Sequence, residues 1–284
     1  MAGKICAITG PTSGIGRATA LALGRKGARL ILLCRSAAKG AALVAELKTL
    51  GAEAEVIETD LSSLHSVGRA AERLTARAPQ LDVLINNAGL INDRRRETLD
   101  GLEEMFAVNH LSHFLLTNRM LYSLRAAPAG RIVHVGSAAH GFVKGFDFDD
   151  YGWHARRWGT MRAYGHSKLA NLLFNRSLSL RLGAIGTVTS NVLHPGAVAS
   201  NMGSNNGWVG KLGMAVVKPF FLSPERGAET SIYLASAPEA AKYRGEYLIK
   251  CRPARPKPWA EDDAAAERLW ALSTALLAER QIVV

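Results

Sequence analysis

Cysteine is scarce. The 284 residues hold three, Cys6, Cys34 and Cys251, too scattered for a disulfide framework or for metal-ligand spacing, which points to a reducing compartment and to no metal site. No run of about 18 apolar residues occurs, so no transmembrane segment is expected. The opening Met1-Ala2-Gly3-Lys4 passes straight into a short apolar run, without the basic and long apolar regions of a signal peptide. A cytoplasmic location is the expectation. Internal repeats and low-complexity tracts are also missing. Positive charge is plentiful, at a formal +11, yet Arg and Lys are spread along the chain rather than gathered with aromatics. That argues against a nucleic-acid partner and for anionic small ligands or a generally basic, soluble surface. With 48% hydrophobic residues, one domain over 1–284 suffices to bury a full core.

What is present alternates between apolar strands and helical stripes. Ile5-Cys6-Ala7-Ile8 ends at Thr9-Gly10-Pro11-Thr12-Ser13-Gly14-Ile15-Gly16, after which Ala18, Leu21 and Ala22 continue at helical spacing. In this strand, glycine loop and helix, Gly10 permits the turn and Gly14 admits a diphosphate to the backbone. Gly16 allows close helix packing, and Thr12, Ser13 and Ile15 surround the helix start. The second strand, Leu30 to Leu33, runs into Cys34-Arg35-Ser36, where an acidic residue would hold the ribose of NAD. There is no carboxylate there, and Arg35 offers a donor fork suited to a ribose phosphate, with Ser36 or Lys39 able to share it.

A helix is expected over 37–50, a strand at 55–57, and then Asp60-Leu61-Ser62 at a strand's carboxyl end, with Ser62 as the cap of the helix carrying Leu64, Val67, Ala71 and Leu74. Strand four, Leu81 to Ile85, leads to Asn86-Asn87-Ala88-Gly89, residues that wall a cofactor, stitch strand ends together, or both. The next helix is expected to begin near Asp100 with Glu103 as its cap partner, and it places Asn109 on the apolar stripe of Leu102, Met105 and Phe106. An amide among core positions must be hydrogen-bonded, so Asn109 either satisfies buried backbone or holds a water. Strand five, Arg131 to Val135, ends at Gly136-Ser137. The alternation predicts a single-domain α/β fold, a Rossmann-type doubly wound, mainly parallel sheet flanked by helices.

Tyr164-Gly165-His166-Ser167-Lys168 puts Tyr164 and Lys168 on one helical face. Such a pair is often an ordinary solvated face. A free phenol titrates near pH ~10, so acid/base work near neutrality asks for a fall of about 3, or roughly 4 kcal/mol, which a neighbouring ammonium favours.

Thr9 to Gly16, Asn86 to Gly89, Asn109, Ser137, Tyr164 and Lys168 together stand in the order of the short-chain dehydrogenase/reductase family. Cys34-Arg35-Ser36, Asn109 to Phe114, His166 to Asn171 and Leu269 to Ser273 resemble its retinol dehydrogenase-like branch. The resemblance covers essentially the whole chain. It implies a tetrad in which Tyr164 is the acid/base, Lys168 lowers its pKa and grips the nicotinamide ribose, Ser137 polarises the substrate carbonyl and Asn109 holds a water. It implies NADP(H), held by the glycine loop, Arg35, Ser36, Asp60, Leu61, Asn87, Ala88, Gly89, Tyr164, Lys168 and a Pro195-Gly196-Ala197-Val198-Ala199-Ser200 loop beside the nicotinamide. The expected reaction interconverts a carbonyl and an alcohol on a bulky, mainly hydrophobic substrate. Reduction of a conjugated carbon–carbon double bond and a non-catalytic cofactor-sensing role stay open as alternatives.

Two stretches exceed a bare core. The segment from Ser137 to Tyr164 carries Trp153, Trp158 and Asp147-Phe148-Asp149-Asp150, and 201–222 mixes glycines with Met202, Trp208, Met214, Phe220 and Phe221 as a candidate substrate lid or subunit contact, which leaves a homo-oligomer open. Residues 253–258 read as a stiff linker to a tail helix over 260–280, and Arg94-Arg95-Arg96 as a solvated loop.

Overall fold

The computed structural model describes residues 1–197 and 222–283. The strands are β1 (Ile5–Thr9), β2 (Arg29–Cys34), β3 (Ala54–Glu58), β4 (Val83–Asn86), β5 (Gly130–Val135), β6 (Val188–His194), β7 (Tyr247–Ile249) and β8 (Arg252–Pro253). They form one sheet in the order β3-β2-β1-β4-β5-β6-β7-β8. All neighbours are parallel except β7 and β8. The order runs outward in both directions from β1 and β4, so their carboxyl ends diverge and leave the crevice where open α/β sheets bind ligands.

Side chains alternate across this sheet with the strand period of two, and each face is apolar because helices cover both. Cys6, Ile8, Leu30, Leu32, Val83 and Ile85 face one core with Leu21 and Leu23 of α1 (Gly14–Arg25), Leu43 and Leu47 of α2 (Ala37–Thr49) and Leu234 of α7 (Pro224–Ser236). Ala7, Ile31, Leu33, Leu84 and Ile132 face the other core. There they meet α3 (Leu64–Arg77), α5 (Ser112–Arg125), α6 (Thr160–Leu182) and α8 (Asp263–Ala278). Each fully buried leucine contributes about 1.5–3 kcal/mol.

The helix starts correct several expectations. Ser63, not Ser62, caps α3 by accepting from the Ser66 N–H at 3.3 Å, while the Ser62 hydroxyl donates to Asp60 Oδ1 at 2.8 Å. Asp100 does not open its own helix. Its Oδ2 accepts from the Leu64 N–H at 2.8 Å and so helps cap α3. α4 (Glu104–Phe106) begins instead at Glu103, whose carboxylate takes the Met105 and Phe106 N–H groups at 2.8 and 2.7 Å. From there the chain passes through a π-helical turn (Ala107–Leu111) into α5.

The stretch expected as a stiff linker is in part sheet: β8 returns antiparallel to β7 through Lys250 and Cys251, both at positive φ (50° and 61°), as a primed two-residue hairpin turn requires. Arg95, expected to be solvated, clasps the 137–164 insertion by donating to the Gly152 carbonyl at 2.8 Å. Asp150 organises that insertion by accepting from the Ala155 and Arg156 N–H groups, both at 3.2 Å. Among the described residues, no helix is long and apolar enough to cross a membrane.

Candidate active site and dinucleotide cleft

The crevice is a cavity of about 510 Å³. One end is the turn between β1 and α1. Gly10 and Gly14 hold φ of +63° and +53° there, conformations that cost a side chain strain. A Cβ on Gly16 would overlap the Gly10 carbonyl and the Asn87 amide, so glycine is what lets α1 start against β1. Ser13 caps α1 without a side-chain hydrogen bond, and the first turn has no acidic residue. The helix's free N–H groups and positive end therefore open on the cavity, an arrangement that fits a diphosphate.

β4 is tied to this turn by its own end. The Thr9 hydroxyl oxygen accepts from the Asn87 and Ala88 N–H groups, both at 3.0 Å, and Asn87 Nδ2 donates to the Thr9 carbonyl at 2.8 Å. The stitching role of Asn87 is thus real, and Asn87, Ala88 and Gly89 line the cavity as well. Beneath them Thr9 Oγ1 meets His113 Nε2 at 3.0 Å, a buried link that the spacing of the motifs did not reveal.

At the end of β2, Arg35 and Lys39 are exposed side chains on the cavity wall. Ser36 is not part of that wall. Its hydroxyl accepts from the Lys39 N–H at 3.3 Å and caps α2. Thr12, Ser13, Ile15, Asp60 and Leu61 line the cavity, with the Asp60 carboxylate turned onto the Ser62 N–H at 3.0 Å.

The other end gathers Ser137, Tyr164, Lys168, Pro195 and Gly196. α6 carries Tyr164 and Lys168 one turn apart, with the Lys168 ammonium 5.7 Å from the Tyr164 ring centroid. Lys168 donates to the Val135 carbonyl at 3.0 Å. Burial lowers its pKa to about 8. The same burial pushes the Tyr164 phenol up to about 12, with the Ser137 hydroxyl pulling it back part of the way. Where the sequence predicts depression by Lys168, desolvation of the phenolate is the larger influence on Tyr164, and it acts in the opposite direction. Ser137 also accepts from the Ala139 N–H at 3.1 Å and opens a short 3-10 helix.

Asn109 does not line the cavity; its side chain is spent on buried groups. Oδ1 accepts from the Leu90 N–H at 2.8 Å, and Nδ2 donates to the Leu90 carbonyl and to Ser167 Oγ, both at 3.0 Å. It sits in the π-helical turn, a distortion that recurs at functional sites. Val198, Ser200 and all but the last residue of the expected lid, 201–222, lie outside the described residues. Sequence reasoning missed Glu104 and Val108, which line the cavity one helical turn apart just before Asn109. Their i, i+4 spacing was the available signal.

A model of the short chain dehydrogenase family matches residues 4–207. The chain belongs to the short-chain dehydrogenase family. It is therefore an oxidoreductase, in the family's retinol dehydrogenase-like branch, since it is 41% identical to human retinol dehydrogenase 13 over 97% of this chain and 85% of that protein. Among solved structures, it resembles an uncharacterised protein from Mycobacterium paratuberculosis with a TM-score of 0.78 and 33% identity, covering 97% of this chain and 93% of that one. It also resembles the RhlG/NADP active-site complex of Pseudomonas aeruginosa with a TM-score of 0.68 and 28% identity, over 87% of this chain and 94% of that one. These likenesses span both ends of the cavity, the glycine turn and the Tyr164 helix.

Proposed function

We propose that the chain is an NADP(H)-dependent oxidoreductase that interconverts a carbonyl and an alcohol on a bulky, mainly hydrophobic substrate, with Tyr164 as the acid/base. The observation that carries this reading is one continuous cavity joining the open N-terminus of α1 to Ser137, Tyr164 and Lys168. When bound, the nicotinamide supplies or accepts the hydride. The glycine turn from Thr12 to Gly16 would hold the diphosphate and Arg35 with Lys39 the ribose phosphate. Asn87 to Gly89 would form the wall, and Lys168 with Tyr164 would take the second ribose.

In reduction, Tyr164 enters with its proton on, the form that burial favours. Ser137 orients the carbonyl oxygen towards that proton, and Tyr164 delivers it. Asn109 holds the π-helical turn and Leu90 in place. Leu90, Val108 and Val135, apolar residues on the cavity wall, support a hydrophobic substrate. Three unpaired thiols support a reducing, cytoplasmic location.

The test is a panel of ketones, aldehydes and matching alcohols with NADPH or NADP, read by absorbance, on wild type and Tyr164→Phe. The variant should keep its fold and cofactor affinity while kcat falls by about 10² or more. Undiminished turnover in Tyr164→Phe, or no turnover of any carbonyl compound by the wild type, defeats the reading.

A further inference from the structure

Glu104 is a half-buried carboxylate on the wall of this cavity, where the other ionisable side chains among the described residues are Cys34, Arg35, Lys39, Asp60, Tyr164 and Lys168. Asp60 is spent on Ser62. Glu104 is held from behind: Asn92 Nδ2 donates to its Oε2 at 2.8 Å. Asn92 is itself only 1% exposed, and its Oδ1 has no hydrogen-bond partner. A buried amide with an orphaned oxygen is costly, and here its one side-chain bond fixes a carboxylate at a cavity wall. Among the described residues, none donates to Glu104 Oε1.

Neighbouring contacts place this carboxylate at the Tyr164 end of the cavity. Met105, next in sequence, packs with Tyr164, Trp153, Ala139 and Ala163, joined by Leu90 and Ile91. Thr160, one turn before Tyr164 on α6, donates to the carbonyl of Asp93, the residue after Asn92. An acceptor in the wall beside Leu90 and Val108 is stabilised when a ligand donates to it, and it penalises a ligand with nothing to donate.

We propose that Glu104 selects substrates that carry a hydrogen-bond donor, a hydroxyl or an amine, on the part of the molecule away from the reacting carbonyl. The proposal rests on the carbonyl–alcohol reading above and adds one polar anchor to a substrate that is otherwise apolar.

The experiment compares wild type, Glu104→Gln and Glu104→Leu on a matched trio: an apolar ketone, its hydroxyl-bearing analogue and its amine-bearing analogue. Values of kcat/KM with NADPH are read alongside binding of the three corresponding alcohols by tryptophan fluorescence. Glu104→Gln keeps an acceptor for Asn92 and guards against misfolding of the leucine variant. The wild type should favour the donor-bearing compounds by about ten- to a hundredfold, the range of a hydrogen bond to a charged group.

Glu104→Leu should abolish that preference. Glu104→Gln should retain part of it for the hydroxyl and lose more for the amine, and the relative gains identify which donor the site takes. Equal selectivity in the wild type, or a preference that survives Glu104→Leu, overturns the proposal. So does a leucine variant whose NADPH affinity changes while its substrate ratios do not, which would assign Glu104 to the cofactor. If none of the trio is turned over, the reading of the reaction falls and the fluorescence titrations still decide the role of Glu104.

Discussion

The proposed preference for NADPH can be tested at one side chain, Arg35. β2 ends in Cys34 and is followed by Arg35, with no carboxylate to repel a ribose phosphate, and both Arg35 and Lys39 are exposed on the cavity wall. A charge-assisted hydrogen bond to phosphate is worth about 1.5–3 kcal/mol, and exposure to solvent and salt keeps Arg35 towards the lower part of that range. Removing it should therefore cost about ten- to thirtyfold in kcat/KM for NADPH and leave NADH nearly unchanged. Arg35→Ala,Lys39→Ala should lose more than either change alone, and the losses should shrink as salt is raised.

Because Ser36, not Arg35, caps α2, Tm should not move in Arg35→Ala. The assay is kcat/KM for both coenzymes at a fixed carbonyl substrate, with dissociation constants from NADPH fluorescence. A wild type that prefers NADH would refute the reasoning, as would an Arg35→Ala enzyme with an unaltered coenzyme ratio.

Gly16→Ala should be severe for its size: the added methyl meets the Gly10 carbonyl and the Asn87 amide, so α1 must shift off the turn. We expect about 1–3 kcal/mol of destabilisation and weaker cofactor binding; a variant with wild-type Tm and NADPH affinity would show that the contact yields freely. Acid should unfold the protein well before the surface carboxylates titrate. Burial holds His110, His134 and His166 down at about 3 and His113 at about 4, against 6.5 when free. Their folded pKa values are depressed, so the unfolded chain binds more protons from about 6.5 down to about 3, or to about 4 for His113, and stability is intact above that window and lost as pH falls through it. Each unit of lowering corresponds to about 1.4 kcal/mol. Thermal melts from pH 7.5 to 5 should show a steadily falling Tm, and a flat profile would contradict the burial argument.

The strand pattern and the glycine turn were legible because each is written in consecutive residues. Ile5 to Ile8 and Tyr247 to Ile249 are apolar runs, and the loop from Gly10 to Gly16 needs its glycines where they stand. What was not legible depends on partners distant in the chain. Ser62 and Ser63 are equally good caps on paper, and only the path of the turn decides that Ser62 serves Asp60 while Ser63 serves the helix. Asp100 looks like the start of its own helix until α3 arrives 36 residues away to claim its carboxylate. The hairpin of β7 and β8 hides because Lys250 and Cys251 adopt positive φ without a glycine. Glu104 went unremarked because a carboxylate on a helix is ordinarily solvated, and only Asn92 and the cavity distinguish this one.

The same distinction governs the acid itself. Sequence spacing places an ammonium beside a phenol and suggests that charge attraction rules; the fold adds burial, which acts against both charges at once. The outcome is a Tyr164 that keeps its proton to about 12 and a Lys168 that releases its own near 8. Lys168 is thus the stronger acid of the two, although at neutral pH it still carries its charge. The ammonium stands 5.7 Å from the ring centroid, over the face of the phenol. Burial thus favours the neutral form of each group, and Tyr164 meets a ligand with its phenol proton in place.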